Sequence, residues 1–224
     1  GSVEFFSALS GIETAMWDIV GKATNQPVYN LLGGPVRKKI RVYANGWYYK
    51  MTEPADYARA AEKCIEMGFT AIKMDPVSGP WRNYLSRAEE RKSVEVLRAV
   101  REAVGPDIDI LLDLHRRLSP MHAIRLADLY EEFEPYYYEE PCMWENVEAL
   151  ADIKASIRLP VVTGEAIYAK TGFRPILQHN AADIINPDVA SCGGILELKE
   201  IAAMAEPFFV AVSPHNYNST TLAL

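Results

Sequence analysis

The sequence predicts an α/β protein of the parallel (β/α) barrel type, and three observations lead there. From residue 40 onward, short apolar runs bounded by turn residues alternate with segments of helical periodicity. Three carboxylates, Asp113, Glu139 and Glu165, each close one of these runs, and each follows the last by 26 residues. That interval accommodates one strand, one helix and the two loops between them. No glycine-rich phosphate-binding turn follows the first run, which argues against an open doubly wound sheet.

Residues 1–39 form a helical lead-in. SALSGIETAMWDIVGKATNQPVYNLLGG reads as an amphipathic helix with Ser10 as a cap, then a Pro-led turn of helix running into Gly33-Gly34. The barrel domain is expected over 40–224. IRVYANG is its first strand, and PADYARAAEKCIEMG a helix closed by Gly68. TAIKMDP is followed by a helix over 84–104, and DIDILLDLH by a helix over 120–133 with Ser119 as cap and Pro120 at its first position. EPYYYEEP precedes a helix over 145–156, LPVVTGE one over 170–179, and AADIINPD one over 194–206; PFFVAVSPH is the last strand. The strands are rich in Ile, Val, Leu and Tyr, as in parallel sheets buried on both faces. This makes seven strands. A TIM-type barrel needs eight, and the chain ends after TTLAL, so the expectation is an incomplete barrel, part of a larger protein.

Bulk properties narrow the function. A net charge of −7 and a pI near 5.2 argue against a nucleic-acid surface, and no Lys/Arg cluster exceeds RKK at 37–39. Cys64, Cys142 and Cys192 are odd in number and lack metal-ligand spacing, as expected for reduced thiols of a cytoplasmic protein. The sequence contains neither an apolar stretch long enough to span a membrane nor a signal peptide. The expected partner is therefore a small molecule rather than a nucleic acid or a membrane.

The strand ends concentrate ionisable groups. Lys73 and Asp75 close the second strand, Asp113 and His115 the third, Glu139 the fourth, Glu165 the fifth, Asp188 the sixth and His215 the seventh. Residues two apart on a strand share a face, so Lys73 projects with Asp75, and Asp113 with His115. In a (β/α) barrel these ends meet at the rim where active sites lie. Three hard oxygen donors that leave coordination positions open suit Mg²⁺. Tyr136, Tyr137 and Tyr138 read as strand packing, and His122 and His179 as structural or solvated. Arg116 and Arg117 either hold substrate or form surface ion pairs. Tyr168 and Lys170, just after Glu165, are candidates to line the site.

The segments SGIETAMWDIVGKATNQPVYNLLGG, AIKMD, DLH, YYYEEP, TGE, DIINPDVASCGGI and SPHN together resemble the enolase superfamily, in its mandelate racemase and sugar-acid dehydratase branch. The resemblance implies Asp113, Glu139 and Glu165 as Mg²⁺ ligands, with Glu139 preferred over Glu140. It implies His215 as the base that abstracts a proton α to a carboxylate, with Asp188 as its dyad partner. It implies His115 as the general acid that expels a β-hydroxyl, and Lys73 as the first Lys of a KxK pattern. Asp75 stands where two-base racemases carry the second Lys, which favours one-base dehydration of an aldonate or aldarate to a 2-keto-3-deoxy acid. Asp75, Arg116, Tyr168 and Lys170 are the candidate substrate contacts. A racemase, epimerase or cycloisomerase of the same family, or a catalytically silent homologue serving as a binding protein, are the alternatives. The resemblance also implies a homo-oligomer and an N-terminal capping domain that lies outside this chain.

Overall fold

A computed structural model describes residues 2–77, 79 and 84–217. Its helices are α1 (Val3–Thr24), α2 (Val28–Leu31), α3 (Pro54–Glu66), α4 (Arg87–Val104), α5 (Pro120–Tyr130), α6 (Val147–Ser156), α7 (Ala169–Gln178) and α8 (Ile195–Ala205). Its strands are β1 (Ala71–Met74), β2 (Asp109–Asp113), β3 (Tyr137–Glu139), β4 (Val161–Thr163), β5 (Ile184–Ile185) and β6 (Ala211–Val212). The chain divides into two compact units. The first holds Val42–Thr163 and His179–Asp183; the second holds Gly1–Arg41, Gly164–Gln178 and Ile184–Leu224.

In the first unit β1, β2, β3 and β4 lie side by side in chain order, all parallel. The register sets Lys73 opposite Leu111 and Asp113 opposite Glu139. Ile72, Met74, Ile110, Leu112, Tyr138 and Val161 are fully buried, as continuous apolar runs in a parallel sheet require. Each such side chain contributes roughly 1.5–3 kcal/mol on burial. The helices bury one stripe each, Tyr57, Ala61 and Cys64 on α3 and Val96, Leu97 and Val100 on α4.

Two expectations change here. The helix expected from residue 84 begins at Arg87, because Ser86 and Glu89 form a reciprocal capping box: Glu89 N donates to Ser86 Oγ at 3.3 Å and Ser86 N to Glu89 Oε2 at 2.8 Å. The expected first strand, IRVYANG, is reduced to one bridge between Ala44 and Ile72. Ala44 N donates to Ala71 O at 3.0 Å, and Lys73 N to Ala44 O at 2.8 Å. Val42 stays exposed, so the run gains little from burial and the ladder goes no further. Among the described residues there are thus six strands rather than seven; TTLAL lies outside them.

In the second unit β5 pairs with β6 in parallel, and a bridge from Asp188 to His215 prolongs the pairing. Helix α1 starts at Val3, so Ser10 is not a cap but a buried mid-helix residue. Its hydroxyl donates to Phe6 O at 2.7 Å and accepts from Gly193 N at 3.0 Å. Glu13, one helical turn on, caps α8: Oε2 accepts from Ile195 N at 2.7 Å and Oε1 from Leu196 N at 3.0 Å. Trp17 Nε1 donates to the same carboxylate at 2.6 Å. A carboxylate there satisfies otherwise unpaired N–H groups and meets the positive end of the helix dipole. Gly194 makes room for it. Its φ is +101°, and a Cβ at this position would lie 2.2 Å from Glu13 Oε2.

Glu13→Ala is therefore expected to lower the unfolding free energy by about 1–2 kcal/mol, the usual worth of a cap. Gly194→Ala should cost more, since it adds backbone strain to the lost contact. Urea denaturation measures both, and a Gly194→Ala protein as stable as the parent would contradict this packing.

Candidate active site

In the first unit the strand register brings three charges together below the surface. Lys73 Nζ lies 2.6 Å from Glu139 Oε1 and 2.8 Å from Asp113 Oδ2, with all three side chains about 1% exposed. Burial disfavours the Lys73 ammonium, but Glu139 and then Asp113 overcome it and hold its pKa above the ordinary lysine value. Burial likewise pushes the Asp113 carboxyl up; Lys73 and His115 outweigh it, and the net shift is downward. Lys73 is thus an ammonium and Asp113 a carboxylate. The Tyr43 ring lies 5.7 Å from the ammonium. Burial, with Asp75 next, raises the Tyr48 phenol to about 12, so it stays protonated.

Asp75, Asp113 and His115 form a second layer of the same cluster. His115 N donates to Asp113 Oδ1 at 3.0 Å, and its ring bridges two carboxylates. Nδ1 lies 3.2 Å from Asp75 Oδ2 and Nε2 3.4 Å from Asp113 Oδ2. Arg117 pairs with Asp75, and Arg116 Nη1 lies 3.3 Å from Glu140 Oε2. Glu140 is fully buried and also accepts from Thr163 Oγ1 at 3.1 Å.

In the second unit Glu165, Asp188 and His215 form a chain. His215 Nδ1 lies 2.8 Å from Asp188 Oδ2, and Nε2 lies 3.1 Å from Glu165 Oε2. Asp188 Oδ1 accepts from Ala190 N at 2.7 Å, which fixes the carboxylate that fixes the ring. Gly164, just before Glu165, has φ +145°, and a Cβ there would come 2.8 Å from Phe173. Only glycine fits this turn.

Other expected site residues have different neighbours. Lys170 Nζ pairs with Glu200 and lies 3.5 Å from Glu197 Oε2, both on α8. The Tyr168 ring stacks on Phe6 of α1, with centroids 5.2 Å apart. His122 is structural: its Nε2 accepts from Leu85 N at 3.0 Å inside the helix layer. Burial pushes Cys142 and Cys192 up to about 12, so neither is a thiolate near neutral pH. Sequence reasoning missed Arg117 as the partner of Asp75, and Thr163 as a donor to Glu140. The only available signal was the pair of arginines directly after His115, which left their partners open.

Donor chemistry in this cluster fits a hard cation. Asp113 and Glu139 are both buried, and Lys73, within 2.6–2.8 Å of each, favours their ionised forms. Ionised carboxylate oxygens are the preferred ligands of Mg²⁺.

Residues 56–224 match the family model described as enolase C-terminal domain-like, and residues 2–33 match the mandelate racemase / muconate lactonizing enzyme N-terminal domain. The parallel α/β architecture is that of this TIM-barrel-type domain. The chain is 38% identical over 218 residues to a D-gluconate/D-galactonate dehydratase of Picrophilus torridus, covering 96% of this chain and 55% of that protein. It is 36% identical over 224 residues to a D-gluconate dehydratase of Thermoproteus tenax, covering 100% of this chain and 45% of that protein. The chain thus spans about half the length of these curated relatives. A crystal structure of an enolase superfamily member from Salmonella Typhimurium matches with a TM-score of 0.94 at 35% identity, over 100% of this chain and 62% of that one. No helix among the described residues is long and apolar enough to cross a membrane. With most of its length matched by the family model, and its strand-end acids and histidines set as described, the chain belongs to the mandelate racemase/muconate lactonizing enzyme family of the enolase superfamily.

Proposed function

We propose that this chain carries the catalytic residues of a Mg²⁺-dependent sugar-acid dehydratase, a hydro-lyase that converts an aldonate or aldarate to a 2-keto-3-deoxy acid. The observation that carries the reading is the shared wiring of two histidines. Each has Nδ1 on one carboxylate and Nε2 beside another: His215 on Asp188 with Glu165 beyond, His115 on Asp75 with Asp113 beyond. A one-base elimination needs two such groups, one to take a proton and one to give it. The names of the relatives supply the substrate class.

Asp113, Glu139 and Glu165 are the residues we assign to the metal. Mg²⁺ supplies positive charge against the substrate carboxylate as negative charge develops there. His215 Nε2 takes the α-proton, while Asp188 accepts the Nδ1 hydrogen and balances the imidazolium. Lys73 remains an ammonium and adds fixed positive charge to the same cluster. His115 Nε2 gives its proton to the β-hydroxyl, which departs as water, and the resulting enol ketonises. Asp75 is occupied by Arg117 and the His115 ring, so it does not replace the second base of a racemase. We further propose that the enzyme works as a homo-oligomer in the cytoplasm and takes no nucleic-acid or membrane partner. We assign residues 40–224 to the barrel-type catalytic domain.

The direct experiment is to incubate the full-length protein and Mg²⁺ with a panel of aldonic and aldaric acids and assay keto-acid formation. A protein that neither binds the metal nor exchanges the α-proton of any of these acids would sink the proposal. Two further outcomes follow. His215→Asn should abolish both α-proton exchange with solvent deuterium and product formation. His115→Gln should slow dehydration by about 10²–10⁴, the usual worth of a general acid, while leaving exchange measurable by NMR of recovered substrate. Exchange lost in His115→Gln but kept in His215→Asn would reverse the two roles. Lys73→Met should destabilise the metal-free protein by about 3–5 kcal/mol, because it removes the ammonium that both buried carboxylates contact. Mg²⁺ should then raise its melting temperature more than that of the parent; an equal or smaller rise would contradict the metal assignment.

A further inference from the structure

His115 stands on a backbone that L-residues rarely adopt. Its φ is +47°, and that of Arg116 is +61°, two consecutive non-glycine residues in the left-handed region. Such conformations persist only where surrounding contacts over-determine them. Here the contacts come from the two arginines. Arg116 N donates to Glu140 O at 2.7 Å, and its guanidinium lies 3.3 Å from the carboxylate of the same residue. Glu140 is itself left-handed at φ +47°, fully buried, and tied to β4 through Thr163. Arg117 N donates to Leu114 O at 3.0 Å, which closes the turn. Its guanidinium pairs with Asp75 and donates to Val77 O at 2.9 Å. Asp75 then receives the His115 ring at Nδ1 and accepts from Val77 N at 3.0 Å.

We propose that Arg116 and Arg117 are positioning residues for His115: Arg116 fixes its backbone through Glu140, and Arg117 fixes its ring through Asp75, so that Nε2 faces the departing hydroxyl. This rests on the reading of His115 as the general acid. The competing roles fit less well. Both guanidinium groups are mostly covered, at 22% and 23% exposed, and their partners Asp75 and Glu140 are at 9% and 0%. A guanidinium drawn off a buried carboxylate to bind substrate would leave that carboxylate uncompensated. A solvated surface pair would not need two left-handed residues to form.

The test uses the full-length, Mg²⁺-loaded protein. Arg116→Gln and Arg117→Gln should each lower kcat for dehydration about 10–100-fold, less than the full loss of an acid. KM should stay within about threefold, as expected for a defect confined to the chemical step, and α-proton exchange should be retained. Arg117→Lys should recover only part of the loss, because it keeps a positive charge for Asp75 but loses the planar, pre-organised guanidinium. A readout independent of turnover is the ¹H–¹⁵N NMR signal of the His115 ring, assigned by its disappearance in His115→Gln. One ring state is expected in the parent, and a shifted or broadened one in each Gln variant. Ring signals unchanged in both variants overturn the proposal. So does a raised KM with exchange and dehydration falling together, the mark of a substrate clamp. If a Gln variant fails to fold, the matching Lys variant takes its place under the same criteria. Undiminished dehydration by His115→Gln would instead remove the general-acid reading, and the ring signals alone would then decide the positioning claim.

Discussion

One buried ammonium governs the chemistry of the first unit. Parallel register puts Asp113 and Glu139 opposite each other at the ends of neighbouring strands. Two carboxylates so close would ordinarily share a proton, because like charges in a poorly solvated site cannot both ionise. Lys73, within hydrogen-bonding distance of both, removes that restriction. It keeps Asp113 ionised against the pull of burial, so the strand ends present anionic oxygens rather than a half-protonated pair. An ammonium donates protons and cannot be ligated, whereas carboxylate oxygens are the ligands that a hard cation takes. A lysine in this position is therefore compatible with a metal at the same oxygens and is not a substitute for one.

The second unit shows a different use of sequence motif. The stretches SGIETAMWD and SCGGI are joined by hydrogen bonds between residues 182 or 183 positions apart in sequence, and they are two halves of one structural joint. Ser10 receives Gly193 N, and Glu13 receives the first N–H groups of α8. These residues look chemically equipped, with a hydroxyl, a carboxylate and a glycine pair, but their groups are spent on helix capping. The same joint leads from Cys192 and Gly193 back to Asp188, whose carbonyl accepts from Ser191 N and Cys192 N. The turn that holds the dyad aspartate is thereby tied to the start of a capped helix.

What was legible in the sequence follows from what is periodic. Strand ends recur with the βα unit, so Asp113, Glu139 and Glu165 could be placed by counting, and Lys73 and His115 by the two-residue repeat of a strand. The paired histidine–carboxylate contacts required fold-level knowledge as well, since Asp188 and His215 are joined across strands. Less was legible where one local signal competed with another. Ser10 looked like a cap because serine at a helix start usually is one, but the apolar run before it extended the helix upstream. IRVYANG had strand composition but lacked the burial that turns composition into a ladder. Tyr168 and Lys170 followed a metal-site residue in sequence, but the left-handed Ala169 at φ +55° turns the chain there, and their side chains go to α1 and α8. Ion-pair partners such as Arg117 with Asp75 could not be read at all, because side-chain reach across a loop has no period.

The two histidines differ in the surroundings of the carboxylate behind each. Asp188 receives the His215 ring and one backbone N–H, and among the described residues no lysine or arginine pairs with it. On the proposed assignment of His215 as base, this carboxylate is the group that faces the ring at Nδ1. Asp75 receives the His115 ring but shares its charge with Arg117. It holds the ring at Nδ1 while also pairing with the guanidinium. Exposure differs too: the His215 side chain is 13% exposed and that of His115 37%. Two histidines with the same wiring thus differ in exposure and in the arginine behind one of them, the asymmetry on which their proposed assignment as base and acid draws.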